Sequence, residues 1–152
     1  MHEEIIVWVG ALVLLGSLAR LSYIDWKTYR LPNIWTKPLI VLGLIYNLNV
    51  SLDLYPYLLG AVLGYAIFWT VETAYRLIRK REGLGRGDAK LLAAGGAWCG
   101  ALALPFIIFI ASSAGLIYLF TKSANIRDTL KIPFGPFLAV GIAITFIALK
   151  FI

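Results

Sequence analysis

The sequence has few charged residues and a single cysteine. Asp, Glu, Lys and Arg make up 14% of its 152 residues, against about 25% in a typical soluble domain, whereas hydrophobic residues reach 61%. This composition excludes an ordinary soluble core, and we expect lipid to surround most of the chain. Because Cys99 is the only cysteine, a disulfide framework and a Cys-x-x-Cys zinc site are also excluded.

Long apolar runs predict the fold. No hydrophilic stretch is long enough to fold by itself, so residues 1–152 are predicted to form one membrane domain. A helix needs about 20 residues to cross roughly 30 Å of hydrocarbon, and the runs predict an all-α bundle of about six transmembrane helices. The predicted spans are 5–24, 38–54, 57–78, 89–103, 104–121 and 133–152. The two spans divided at Pro105 are short, and the first is expected to cross either a thinned bilayer or only part of it.

Positive charge is distributed unevenly among the predicted loops. Of the 14 Lys and Arg residues, all but Lys150 fall at the first, third and fifth loops. Because basic residues are retained in the cytoplasm, this pattern predicts that these loops are cytoplasmic and that both termini face outward. The net charge of +6 does not indicate nucleic-acid binding, since the charges form short clusters between apolar runs.

Two aspartates are candidates for chemistry. Taken singly, Asp88 could cap the helix that follows it, and Asp25 could be an interfacial residue with access to solvent. The predicted topology, however, brings both to the same cytoplasmic depth. Gly85 and Gly87 flank a turn leading into Asp88, and glycine allows close backbone approach. Two carboxyl groups that share a proton can activate water and hydrogen-bond a scissile carbonyl, as in aspartic peptidases.

Glu72 is an acidic residue that lies inside a predicted span. An ionisable residue there is a functional candidate by default. Arg76 follows four residues later, so an i,i+4 ion pair at the membrane edge is the simpler interpretation.

The run Gly85-Arg86-Gly87-Asp88-Ala89-Lys90-Leu91 has the pattern Gly-x-Gly-Asp-x-Lys-Leu, which resembles the signature of bacterial type IV prepilin peptidases. Two further motifs occur in the order found in that family, and the resemblance extends over about residues 21–141. Asp25 followed by Leu31-Pro32-Asn33 resembles its first aspartate motif, and Pro133-Phe134-Gly135-Pro136 resembles part of its final-helix motif.

The resemblance implies an intramembrane aspartic endopeptidase of the bacterial inner membrane. Such an enzyme cleaves the basic leader of type IV prepilins or pseudopilins after a glycine, at the cytoplasmic face, and serves type IV pili or type II secretion. The resemblance also implies that Asp25 and Asp88 are the catalytic pair, without a metal or an organic cofactor.

Further site residues are expected around this pair. The expected supporting residues are Gly85, Gly87, Lys90, Pro133, Phe134, Gly135 and Pro136. The proline-rich motif also suits a simple helix start. Glu82 and Asp128 are candidates for binding the basic leader, with a solvated-loop role as the alternative for each.

Larger family members carry an N-terminal cytoplasmic domain with paired Cys-x-x-Cys motifs, and they methylate the new N-terminus with S-adenosylmethionine. The present sequence contains neither that domain nor those cysteines. The short, peptidase-only form is therefore expected, with methylation left open.

The alternatives to a bacterial prepilin peptidase are an archaeal preflagellin peptidase, a small transporter in which the two aspartates bind a cation or protons, and a non-catalytic secretion subunit. A transporter is disfavoured because the acids lie at the face and not at the bilayer midplane.

Overall fold

The structure is a computed structural model that describes residues 2–51, 53–79, 85–121 and 132–152. These residues form α-helices and one short 3₁₀ turn, without a strand, as the apolar runs predict. The helices are α1 (His2–Thr28), α2 (Asn33–Val50), α3 (Tyr55–Arg79), α4 (Arg86–Cys99), α5 (Leu104–Thr121) and α6 (Gly135–Phe151). The 3₁₀ turn Ala101–Ala103 precedes α5.

Three segments of the described chain are long and apolar enough to cross a membrane. They are Glu4–Thr28, Tyr55–Ile78 and Ala101–Thr121, and α6 is a shorter apolar helix. Large apolar side chains such as Leu12, Phe109 and Phe120 are exposed on the outside of the bundle. Exposed apolar surface of this extent is unfavourable in water but suits lipid. The chain is therefore a multi-pass membrane protein.

Helix α4 lies at the centre of the bundle. It packs against α2, α3, α5 and α6, and from Asp88 to Trp98 every residue except Lys90 is buried. Glycines bring its backbone close to α3, since a Cβ atom on Gly96 would lie 2.1 Å from the Gly60 carbonyl oxygen. With its 14 residues, α4 is only about 21 Å long at 1.5 Å per residue.

Hydrogen bonds also fix α2 against α4. The fully buried Asn47 donates its side-chain amide to the carbonyl oxygens of Gly43, Ala97 and Trp98 at 2.9–3.2 Å. The Trp98 indole N–H donates to the Leu39 carbonyl oxygen at 2.9 Å. Hydrogen bonds of this kind join helices in lipid, where apolar burial gives little drive for association.

Some helix boundaries differ from the predicted spans. The break before α5 falls at Gly100, whose φ of 88° requires glycine, and not at Pro105, which fits within the first turn of α5. Helix α1 continues to Thr28, and α2 begins at Asn33, after an extended Pro32. Helix α1 thus extends past the end of its predicted span, and α2 begins before the start of its own, because polar residues at the membrane face still form helix.

Candidate active site

Asp25 lies near the end of α1 and faces the start of α6. Its side chain is buried, and its Oδ2 accepts a hydrogen bond of 3.0 Å from the Gly135 backbone N–H. Unpaired N–H groups and the helix dipole make the start of a helix favourable for a carboxylate. A Cβ atom on Gly135 would lie 2.5 Å from Asp25 Oδ2. The contact therefore requires glycine at position 135.

Asp88 lies in the first turn of α4 and is 8% exposed. Its backbone N–H donates to the Gly85 carbonyl oxygen at 3.0 Å, and its carboxyl group turns back towards Gly85. The pKa of Asp88 is raised to about 7, chiefly by burial and further by the charge of Asp25, while a hydrogen bond from the Gly85 backbone lowers it. The interpretation of Asp88 as a cap for a helix that starts after it is wrong, because α4 already begins at Arg86 with Gly85 as its N-cap and without a side-chain capping hydrogen bond. The Asp88 side chain instead lies within the first turn, near a second carboxyl group.

The two carboxyl groups form an interacting pair. They come from α1 and α4, and the charge of Asp25 acts on Asp88 in surroundings largely closed to water. Like charges in such a place do not readily ionise together, so the pair tends to keep one proton near neutral pH. One carboxylate and one carboxylic acid can then act together, the first as a base and the second as a hydrogen-bond donor.

The connection between α1 and α2 contacts α4 on both sides of Asp88. The chain reverses at Tyr29, which has a φ of 53°. Leu31 then packs so closely on Gly87 that a Cβ atom there would lie 2.6 Å from the Leu31 Cβ. The Lys90 ammonium group donates a hydrogen bond to Asn33 Oδ1. These two contacts hold the Leu31-Pro32-Asn33 segment against the first turn of α4.

The proline-rich motif forms the start of α6. Pro136 lies in the first turn, where its missing N–H costs nothing, and Pro133 is buried. The Phe134 ring packs on the Phe68 ring of α3, with 6.1 Å between centroids. The motif is therefore a helix start, and it also brings the Gly135 N–H to Asp25.

Glu72 does not form the predicted ion pair. Among the described residues its carboxylate pairs with Arg86, with 3.9 Å between Nε and Oε1, and the predicted pairing with Arg76 is wrong. Glu72 is buried against α4, whereas Arg76 is exposed. Glu82 and Asp128 lie outside the described residues.

Sequence reasoning did not assign Phe68 to this region, named Asn33 only as part of the first aspartate motif, and favoured an ion pair with Arg76 for Glu72. The four-residue spacing of Gly60, Gly64, Phe68 and Glu72 was available as a signal, since it places all four on one face of α3. Nothing in the sequence alone pairs Asn33 with Lys90.

Within the described ranges, no group of three or more His, Cys, Asp and Glu side chains could hold a metal ion.

Comparisons with known proteins agree with the motifs. The family model described as the type IV leader peptidase family matches residues 12–120. The chain is 47% identical over 123 residues to the prepilin leader peptidase/N-methyltransferase of Escherichia coli (strain K12), a match covering 80% of this chain and 55% of that protein. It is 41% identical over 143 residues to the Neisseria gonorrhoeae protein of the same name, covering 93% of this chain and 49% of that protein.

The chain is also 42% identical over 138 residues to the prepilin leader peptidase/N-methyltransferase of Dichelobacter nodosus, a match covering 90% of this chain and 48% of that protein. The chain therefore spans about half the length of the curated relatives it matches. No solved structure matches the chain. The match of the family model nevertheless extends over most of the sequence, from the middle of α1 to the end of α5. The chain belongs to the type IV leader peptidase family.

Proposed function

We propose that this chain is an aspartic endopeptidase that removes the basic leader peptide of type IV prepilins or pseudopilins. Cleavage follows a glycine at the cytoplasmic face of the bacterial inner membrane. The observation that carries this function is the interacting pair of buried carboxyl groups, Asp25 and Asp88, placed beside the start of α6. Membership of the leader peptidase family supports it.

The two aspartates take different roles. Asp25 accepts the Gly135 N–H at the start of α6, and a hydrogen bond to the charged form favours a carboxylate. We therefore assign Asp25 as the base that takes a proton from the attacking water. Asp88, whose pKa is raised to about 7 chiefly by burial, holds a proton near neutral pH and donates it to the scissile carbonyl oxygen.

Hydrolysis then proceeds through a tetrahedral intermediate. The water oxygen bonds to the carbonyl carbon of the glycine, while Asp25 accepts a proton from the water and Asp88 donates its proton to the carbonyl oxygen. When the intermediate collapses, the carbon–nitrogen bond breaks, the proton on Asp25 passes to the leaving amine, and Asp88 regains a proton from the intermediate. The pair returns to its starting state, and the step requires no redox partner.

We further propose that residues 1–152 act as one domain within the lipid bilayer. The carboxyl pair faces the cytoplasm, and both termini face outward. The charge distribution supports this orientation, because basic residues lie at the predicted loops next to Asp25 and Asp88.

The test is cleavage of a prepilin by the purified chain in lipid vesicles, with the new N-terminus read by mass spectrometry. We expect Asp25→Asn and Asp88→Asn each to lower kcat/KM by at least about 10³-fold, since each removes a group that acts as part of a unit. The matched control is Asp53→Asn, a change at an exposed carboxylate between α2 and α3, and this variant should cleave the prepilin at the wild-type rate. Normal cleavage by both active-site variants would refute the assignment. The mass of the product also reports any methylation.

A further inference from the structure

One face of α3 carries a carboxylate close to the aspartate pair. Gly60, Gly64, Phe68 and Glu72 recur at every fourth position, and all four are buried, whereas most residues between them are exposed. Residues four apart lie on the same side of a helix. Glu72 therefore belongs to the face of α3 that packs against the site, and not to the lipid-facing surface.

The register of α3 against α4 gives the depth of Glu72. Gly60 contacts Gly96, and Gly64 contacts Leu92, so a four-residue step along α3 moves the contact four residues back along α4. Continued by one step, this antiparallel register brings Phe68 level with Asp88. Glu72 lies four residues further along α3, which is about one turn or about 6 Å along the axis, towards the cytoplasmic end proposed above.

Two contacts agree with this depth. Glu72 pairs with Arg86, which precedes Asp88 in the first turn of α4. The Phe68 ring meets Phe134, the neighbour of the Gly135 that holds Asp25. The carboxylate of Glu72 is thus about one helical turn from the level of the aspartate pair, on the same end of the bundle.

The carboxylate of Glu72 is poorly satisfied by the described residues. Its side chain is 8% exposed, while its partner Arg86 is 68% exposed, and the 3.9 Å between them exceeds a hydrogen bond. No described residue donates a hydrogen bond to this carboxylate. A buried charge of this kind is costly unless it is paired and hydrogen-bonded, which suits a position that a second cation completes.

We propose that Glu72 is a specificity residue that binds a cationic side chain, Lys or Arg, in the leader segment of the substrate. The leader cation would take the carboxylate from Arg86, whose exposed side chain is free to move into solvent. An extended chain advances about 3.3 Å per residue, so the offset of one helical turn places this cation within about two residues before the scissile bond. Because it concerns the same substrate, this role of Glu72 rests on the proposed function.

The test compares two substrates that differ only in leader charge. One prepilin carries Lys or Arg directly before the cleavage-site glycine, which is the second residue before the scissile bond, and its partner carries Gln there. Cleavage of each is measured with the wild-type chain, with Glu72→Gln and with Glu4→Gln, an exposed carboxylate at the opposite end of α1. We expect Glu72→Gln to lower kcat/KM for the cationic leader by about tenfold or more, mainly through KM, and to leave the Gln leader unchanged. Glu4→Gln should alter neither.

The Gln leader serves as a built-in control for folding. An equal loss for both leaders would show that Glu72 only supports the structure, and unchanged cleavage of the cationic leader would show that it does not contact the substrate. Either result would overturn the role of Glu72 while leaving the peptidase assignment intact. If the wild-type chain cleaves neither prepilin, the proposed function fails first, and the role of Glu72 fails with it.

Discussion

At the residue scale, Asp25 and Gly135 meet across 110 positions of sequence. The contact depends on the Gly135 N–H, which donates a hydrogen bond to the Asp25 carboxylate. It also depends on the lack of a side chain at position 135, because the carboxylate occupies the space that a Cβ atom would fill. The same holds at Gly87, where Leu31 fills the corresponding space. Two motif glycines thus act as contact points for groups from other parts of the chain.

Gly135→Ala is expected to displace the Asp25 carboxylate or the start of α6 and to lower kcat/KM for prepilin cleavage by about 10²-fold, the typical effect of a misplacement of about 1 Å. Gly115→Ala is the matched control, since its Cβ atom would make only ordinary contacts at 3.8 Å with Phe134 and Phe137. Cleavage rates of the two variants in the same vesicles provide the measurement. Near-normal activity of Gly135→Ala would show that the contact with Asp25 is dispensable.

At the scale of elements, the pairing of α3 with α4 fixes the depth of the site. The two backbones touch at Gly60 and Gly96 and again where Gly64 meets Leu92. Small residues permit this approach in lipid, where packing and not apolar burial drives helix association. Since α4 carries Asp88 and α3 carries Glu72, any shift between the helices changes both positions together.

Gly96→Ala is expected to lower the free energy of unfolding by about 1–3 kcal/mol, because the added methyl group must push α3 away from α4. Gly16→Ala, on α1 with nothing within 4 Å of the added Cβ atom, should cost no stability. Unfolding of both variants in a mixed-micelle denaturation series provides the measurement. Equal stability of the two variants would argue against tight contact between α3 and α4.

At the scale of the whole molecule, the basic residues and the aspartate pair are associated with the same end of the bundle. Arg86 and Lys90 flank Asp88 in α4, and Lys27 and Arg30 follow Asp25. Retention of positive charge in the cytoplasm would then fix the side on which the site opens. Asp53, between α2 and α3, lies at the other end of α2 from Asn33.

Single cysteines introduced at Arg30 and at Asp53, in a Cys99→Ala background, should distinguish the two faces. A membrane-impermeant maleimide is expected to label Asp53→Cys in intact spheroplasts and to label Arg30→Cys only after the membrane is opened. Both positions are exposed, so burial does not explain a difference in labelling. Labelling of Arg30→Cys in intact spheroplasts would reverse the proposed orientation.

The sequence by itself determined the membrane character, the helical class and the two aspartate motifs. These features depend on local properties. A run of apolar residues indicates a segment that prefers lipid to water, and a short motif can be recognised without the rest of the fold. Helix α3 and the start of α5 follow the predicted spans closely for that reason. Hydropathy was less informative at α2, since the segment from Asn33 to Lys37, which begins and ends with a polar side chain, is helical although it precedes the predicted span.

Only the tertiary structure decided which side chains meet. Sequence spacing assigned Glu72 to Arg76, four residues away on its own helix, but the antiparallel packing of α3 on α4 brings Arg86 to it instead. In the same way, the Gly135 N–H reaches Asp25 and Asn33 reaches Lys90 only because separate helices are held in register. Local sequence sets the face and length of each helix, whereas the relative depth of two helices depends on contacts between residues far apart in the chain.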